Sequence, residues 1–123
     1  MRNVVRRDEM RSFRLPGGAV LRGVISPKNS LLERVSVNEV TLPPGVSSEE
    51  HYHIGCEEVY FILDGEGVVH LGGESFSVSR GDAVFIPPEL SHRIENPTDV
   101  PLRFLSISSP PFSREKTVSG GKG

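Results

Sequence analysis

The stretch EEHYHIGCEEVYFILDGEG, residues 49–67, places two histidines, a cysteine and four glutamates ahead of an apolar run that ends at Gly65. In an extended chain, side chains two residues apart leave the same face, with α-carbons about 6.5–7 Å apart. One strand can therefore aim His51 and His53 at a common point. The segment IGCE then turns with the help of Gly55, and a second strand follows over residues 57–63. Its alternation puts Glu58, Tyr60 and Ile62 on one face and Glu57, Val59, Phe61 and Leu63 on the other. Periodicity alone leaves open which glutamate faces inward. A second polar intrusion lies in RGDAVFIPPELSHRIENP, residues 80–97. There Asp82 to Ile86 reads as a short strand, Pro87 and Pro88 impose a turn, and His92 opens a new strand with Ile94 and Asn96 on its face. In a sheet that closes on itself, His92 reaches the first two histidines.

Around these stretches, 13 glycines and 10 prolines interrupt the chain too often for long helices. Runs rich in Val, Ile, Leu, Phe and Thr fall at 19–25, 35–42, 57–63, 66–71, 74–78, 82–86, 91–95 and 102–108. About eight strands at this spacing predict an all-β fold, an antiparallel sandwich or barrel. In VSVNEVTL the apolar phase shifts from Val35 and Val37 to Val40 and Leu42, which predicts a bulge near Asn38. A length of 123 residues fits one domain. The expected organisation is an N-terminal arm or exchanged strand over 1–18, a barrel over 19–111 and a flexible polar tail over 112–123.

A formal net charge of -2 gives no bias toward nucleic acid, and Asp8 and Glu9 interrupt the arginines of the N-terminal arm. The single cysteine, Cys56, excludes an internal disulfide, and no apolar stretch has membrane length. These features predict a cytoplasmic protein with neither nucleic-acid nor membrane partners.

The two polar stretches resemble the cupin superfamily. Its first motif, G-x5-H-x-H-x(3,4)-E-x6-G, is matched by Gly45, His51, His53, Glu58 and Gly65. Its second, G-x5-P-x-G-x2-H-x3-N, is matched by Gly81, Pro87, His92 and Asn96, with Glu89 standing where the family has glycine. The resemblance selects Glu58 over Glu57 and implies a double-stranded β-helix, or jelly roll. It also implies that His51, His53, Glu58 and His92 hold one divalent transition metal: Mn, Fe, Ni, Zn, Co or Cu. Three imidazoles and a carboxylate leave an octahedral ion two open positions.

What the resemblance implies for activity is a small metal-dependent enzyme: a dioxygenase, a decarboxylase or lyase, or a sugar isomerase acting on a small polar or anionic substrate. A sugar- or carboxylate-binding sensor without catalysis is the alternative, and a storage or scaffold protein a third class. Tyr60, on the face of Glu58, is a candidate proton donor, and Glu49, two residues before His51, a candidate base. Cys56 reads as a bystander, His70 as a rim histidine, and Arg22 or Arg103 as an anion ligand if either faces the cavity. The apolar stripe of Val59, Phe61 and Leu63 predicts a homodimer.

Overall fold

The computed structural model describes residues 2–120. Eleven strands occur among them: β1 (Ser12–Arg14), β2 (Val20–Ile25), β3 (Ser36–Leu42), β4 (His51–His53), β5 (Glu57–Asp64), β6 (Glu66–Leu71), β7 (Glu74–Ser79), β8 (Ala83–Ile86), β9 (His92–Glu95), β10 (Leu102–Ser109) and β11 (Thr117–Ser119). They form a six-stranded sheet, in the order β1-β2-β3-β10-β5-β8, and a five-stranded sheet, β11-β4-β9-β6-β7. Val40, Leu42, Ile62, Ile86, Leu102 and Phe104 of the first sheet share one buried cluster with Val69, Val78 and Ile94 of the second. The two sheets therefore close over a common interior, as a jelly roll does.

Alternation decides what enters that interior. β5 buries Glu58, Tyr60 and Ile62 and turns Glu57, Phe61 and Asp64 outward. β10 buries Leu102, Phe104, Ser106 and Ser108. Gly65, at the β5–β6 turn, has φ +86°, and a Cβ there would lie 2.5 Å from the Pro101 carbonyl oxygen. Only glycine satisfies both the left-handed backbone and that close approach.

One expectation is corrected. β3 pairs with β10 in unbroken register from Leu102↔Leu42 to Ser108↔Ser36, and the bulge lies instead in β2, between Gly23 and Ile25, opposite Asn38 and Val37. The phase shift in β3 reflects inward residues that turn polar at one end. β1 pairs with β2 of the same chain, so residues 12–14 extend the sheet; Met1 lies outside the described residues. In the C-terminal segment β11 pairs with β4, placing Thr117 opposite His53, and Gly120 N–H donates to the Glu50 carbonyl. Residues 121–123 of that tail lie outside the described residues.

Candidate metal centre

β4 carries His51 and His53, β5 carries Glu58, and β9 opens on His92. β4 pairs with β9 at His51↔His92, which brings the two halves of the site together across one sheet, while Glu58 approaches from the opposite sheet. One possible ligand atom from each of the four residues lies within 4.8 Å of the others. His53 Nε2 and His92 Nε2 are 3.3 and 3.2 Å from Glu58 Oε1. The rings pack closely, with His51 centroids 4.8 Å from His53 and 4.3 Å from His92.

The outer nitrogens fix the tautomers. His51 Nδ1 lies 2.7 Å from the Glu49 carbonyl oxygen and His92 Nδ1 2.9 Å from that of Leu90. A carbonyl only accepts, so each Nδ1 carries the proton. His53 Nδ1 lies 2.9 Å from Thr117 Oγ1, which itself donates to the Ser113 carbonyl at 2.7 Å. The threonine has spent its hydrogen and accepts from His53. In neutral rings each Nε2 then presents a lone pair, and those of His53 and His92 face Glu58 Oε1.

Glu58 Oε2 accepts a hydrogen bond from Ser106 at 2.6 Å, leaving Oε1 for the cluster. Burial opposes charge on this carboxyl, but hydrogen bonds from His53 and His92, in the state where their Nε2 carry protons and no ion is bound, and from the Ser106 hydroxyl outweigh it, holding the group well below the usual carboxylate range. Burial, followed by the neighbouring His92, lowers His51 from its ordinary value, which keeps its ring neutral near pH 7.

His53 Nε2, His92 Nε2 and Glu58 Oε1 are buried without a hydrogen-bond partner among the described residues. The fourth such atom, Arg22 Nε, stands 3.4 Å from Glu39 Oε1 at ion-pair distance. Buried lone pairs left facing one another cost several kcal/mol in total, at roughly 1–3 kcal/mol each. A divalent cation satisfies all of them at once, so the four residues fit such an ion.

The other expected site residues separate. Tyr60 is buried in the core, its ring 4.7 Å from Phe104 and 6.1 Å from His92, and burial with the Glu58 charge pushes its phenol well above the usual value. Glu49 precedes β4, which starts only at His51, so its side chain lies exposed outside the strand while its carbonyl holds His51. Arg22 and Arg103 are on the outer face, where both pair with Glu39, so neither faces the cavity. Both ring nitrogens of His70 are taken by Ser75 and Glu95. Burial raises the Cys56 thiol, with the Glu58 charge adding to the effect. Surface hollows by the β5–β6 turn and by residues 27–31 lie away from the cluster.

Glu89, the departure from the motif, has φ 60°. It adopts the left-handed backbone that glycine would supply. Its N–H donates to the His53 carbonyl at 2.9 Å, and its carboxylate accepts from Gly55 N–H at 3.2 Å. The glutamate thereby ties the turn before His92 to the turn after His53. Thr117 was missed by sequence reasoning because it lies 64 residues from His53 with no local spacing signal.

A two-sheet barrel with three imidazoles and one carboxylate converging inside it defines the cupin class. The Cupin domain family profile matches residues 38–108, and the chain belongs to that family. It is 36% identical over 110 residues to an uncharacterised protein of Methanocaldococcus jannaschii, covering 89% of this chain and 88% of the relative. It is 44% identical over 66 residues to the oxalate-binding protein of Thermotoga maritima, spanning 54% of each. A crystal structure of a predicted oxalate decarboxylase from Thermotoga maritima superposes with TM-score 0.78 at 32% identity, covering 87% of this chain and 98% of that one.

Proposed function

We propose that the protein is a metal-dependent enzyme in which His51, His53, Glu58 and His92 hold one divalent transition metal and present it to a small anionic acid of the oxalate class. The observation that carries this reading is the set of three buried donor atoms, His53 Nε2, His92 Nε2 and Glu58 Oε1, that lack hydrogen-bond partners among the described residues. Such an ion, when bound, supplies Lewis-acid stabilisation of negative charge on substrate oxygens. With one carboxylate and three neutral imidazoles around it, a divalent ion keeps net positive charge and attracts an anion. His51 is the half-exposed member of the set and marks the side from which a ligand enters. The likeness to an oxalate-binding protein and to a predicted oxalate decarboxylase supports the substrate class.

The chain's own proton carriers are few. Tyr60 and Cys56, the buried ionisable groups near the cluster, are both pushed toward their protonated forms, and buried Glu39 belongs to the outer face. This favours lyase chemistry that leans on the ion over an isomerisation that needs a protein base. It also lends weight to a second reading, binding of the acid without turnover.

The protein is further proposed to work as a cytoplasmic homodimer. No helix among the described residues is long and apolar enough to cross a membrane. On the outer face of the six-stranded sheet, Ile107, Val59 and Phe85 align across three strands, as do Leu105, Phe61 and Ala83. Phe85 is 54% and Phe61 38% exposed, an apolar patch suited to a second copy.

The test is turnover and binding of oxalate, other small acids, dicarbonyls, thiols and sugars by metal-loaded protein, with His53→Ala as control. Turnover of a small acid that is lost in His53→Ala is expected. Activity that survives this substitution would remove the metal from the mechanism.

A further inference from the structure

Asn38 is an inward polar side chain that the four-donor cluster does not use. It stands directly opposite Ser106 in the β3–β10 ladder, and Ser106 faces the interior, where it donates to Glu58. Directly opposite residues leave the same face of a sheet with Cβ atoms about 4.5–5.5 Å apart. On its other side Asn38 faces Gly23, which contributes no side chain: a Cβ built there would lie 3.9 Å from Asn38 Oδ1. The bulge between Gly23 and Ile25 falls at the same place. Gly23 therefore sets no side chain against the amide.

That amide makes no hydrogen bond to any described residue. Asn96, the other inward asparagine, is fully engaged: its Nδ2 reaches the Leu42, Pro43 and Val100 carbonyls, and its Oδ1 accepts from the Thr98 N–H and hydroxyl. Asparagine is disfavoured in strands, and an inward polar group costs free energy unless something bonds it. Asn38 is half-buried, so solvent reaches part of it.

We propose that Asn38 anchors the end of the ligand remote from the metal, donating an amide N–H to a second oxygen-bearing group. The inference rests on the metal-centre and small-acid reading above. Its geometry follows from the ladder. Ser106 Oγ is 2.6 Å from Glu58 Oε2, and Asn38 lies one strand farther on, at a spacing of about 4.8 Å. The anchor is thus one small molecule's length from the donor cluster. A diacid, one group on the ion and distal oxygens on the amide, spans that gap; a monocarboxylate leaves the amide unmet.

Calorimetric titration of manganese-loaded protein with oxalate, malonate and acetate tests this, using the wild type, Asn38→Leu and the near-isosteric Asn38→Asp. A hydrogen bond to a charged group is strong enough that both variants should weaken oxalate or malonate at least tenfold. Manganese affinity and acetate affinity should stay within twofold of wild type. Unchanged diacid affinity in both variants would overturn the role of Asn38 while leaving the metal centre standing, as would loss of manganese affinity along with the diacid, which marks a structural residue. Wild-type protein that takes manganese but neither diacid would also overturn it. Wild-type protein that takes no manganese would overturn the metal reading, and this inference with it.

Discussion

Four strands cross the inside of the barrel from an apolar end to a polar one. β10 buries Leu102 and Phe104, then Ser106 and Ser108; β3 runs from Leu42 and Val40 to Asn38 and Ser36; β5 runs from Ile62 through Tyr60 to Glu58; β9 runs from Ile94 to His92. Backbone geometry is the same at both ends, and only the identity of the inward side chain differs. At the apolar end each buried aliphatic or aromatic group contributes about 1.5–3 kcal/mol of transfer free energy. At the polar end the interior is held by hydrogen bonds such as Ser106 to Glu58, and three potential metal-donor atoms lack a partner among the described residues. The fold's stability and its chemistry thus belong to opposite halves of the same strands.

Substitution at the apolar end should move stability alone. Phe104→Ala removes a side chain that is 1% exposed, with an expected cost of about 3–5 kcal/mol in denaturant unfolding. Manganese stoichiometry per folded molecule should not change; a parallel loss of metal affinity would mean that the two ends are not separable. The polar end should show the converse. Thr117→Val keeps the shape of the side chain but removes the acceptor that orients His53, so manganese affinity should fall about 10–100-fold while the metal-free melting temperature stays near wild type. An unchanged affinity would show that β11 merely covers the site.

The smallest effect sharpens the boundary between strain and function. Glu89 holds a left-handed backbone at a cost of about 1–2 kcal/mol. Glu89→Gly relieves that strain and Glu89→Ala does not, although both lose the contact to Gly55. The glycine variant should therefore be about 1 kcal/mol more stable than the alanine variant by chemical denaturation. Equal stabilities would mean that the turn relaxes out of the left-handed region.

Much of this was legible in the sequence, because strand alternation and the His-x-His spacing both operate over a few residues. Alternation correctly grouped Glu58 with Tyr60 but could not orient the strand; the structure orients it by burying Ile62 and Glu58 and exposing Glu57 and Phe61. β11 escaped notice, and β1 was foreseen only as an arm or exchanged strand, because SFR and TVS are three-residue edge strands without a buried face, held by pairing to neighbours rather than by an apolar pattern. The bulge near Asn38 was placed in β3 rather than in β2 opposite it, because a change from apolar to polar lining looks, in one dimension, like a change of phase. Glu49 looked inward only if β4 began before His51, and strand ends are set by ladder partners that the sequence does not display.

Crystals grown with manganese, measured for anomalous scattering, test the central claim most directly. The account predicts one ion per chain, about 2.0–2.3 Å from Nε2 of His51, His53 and His92 and from Oε1 of Glu58. An empty cluster at saturating manganese, or an ion bound elsewhere with His92 turned away from the other three, would contradict it.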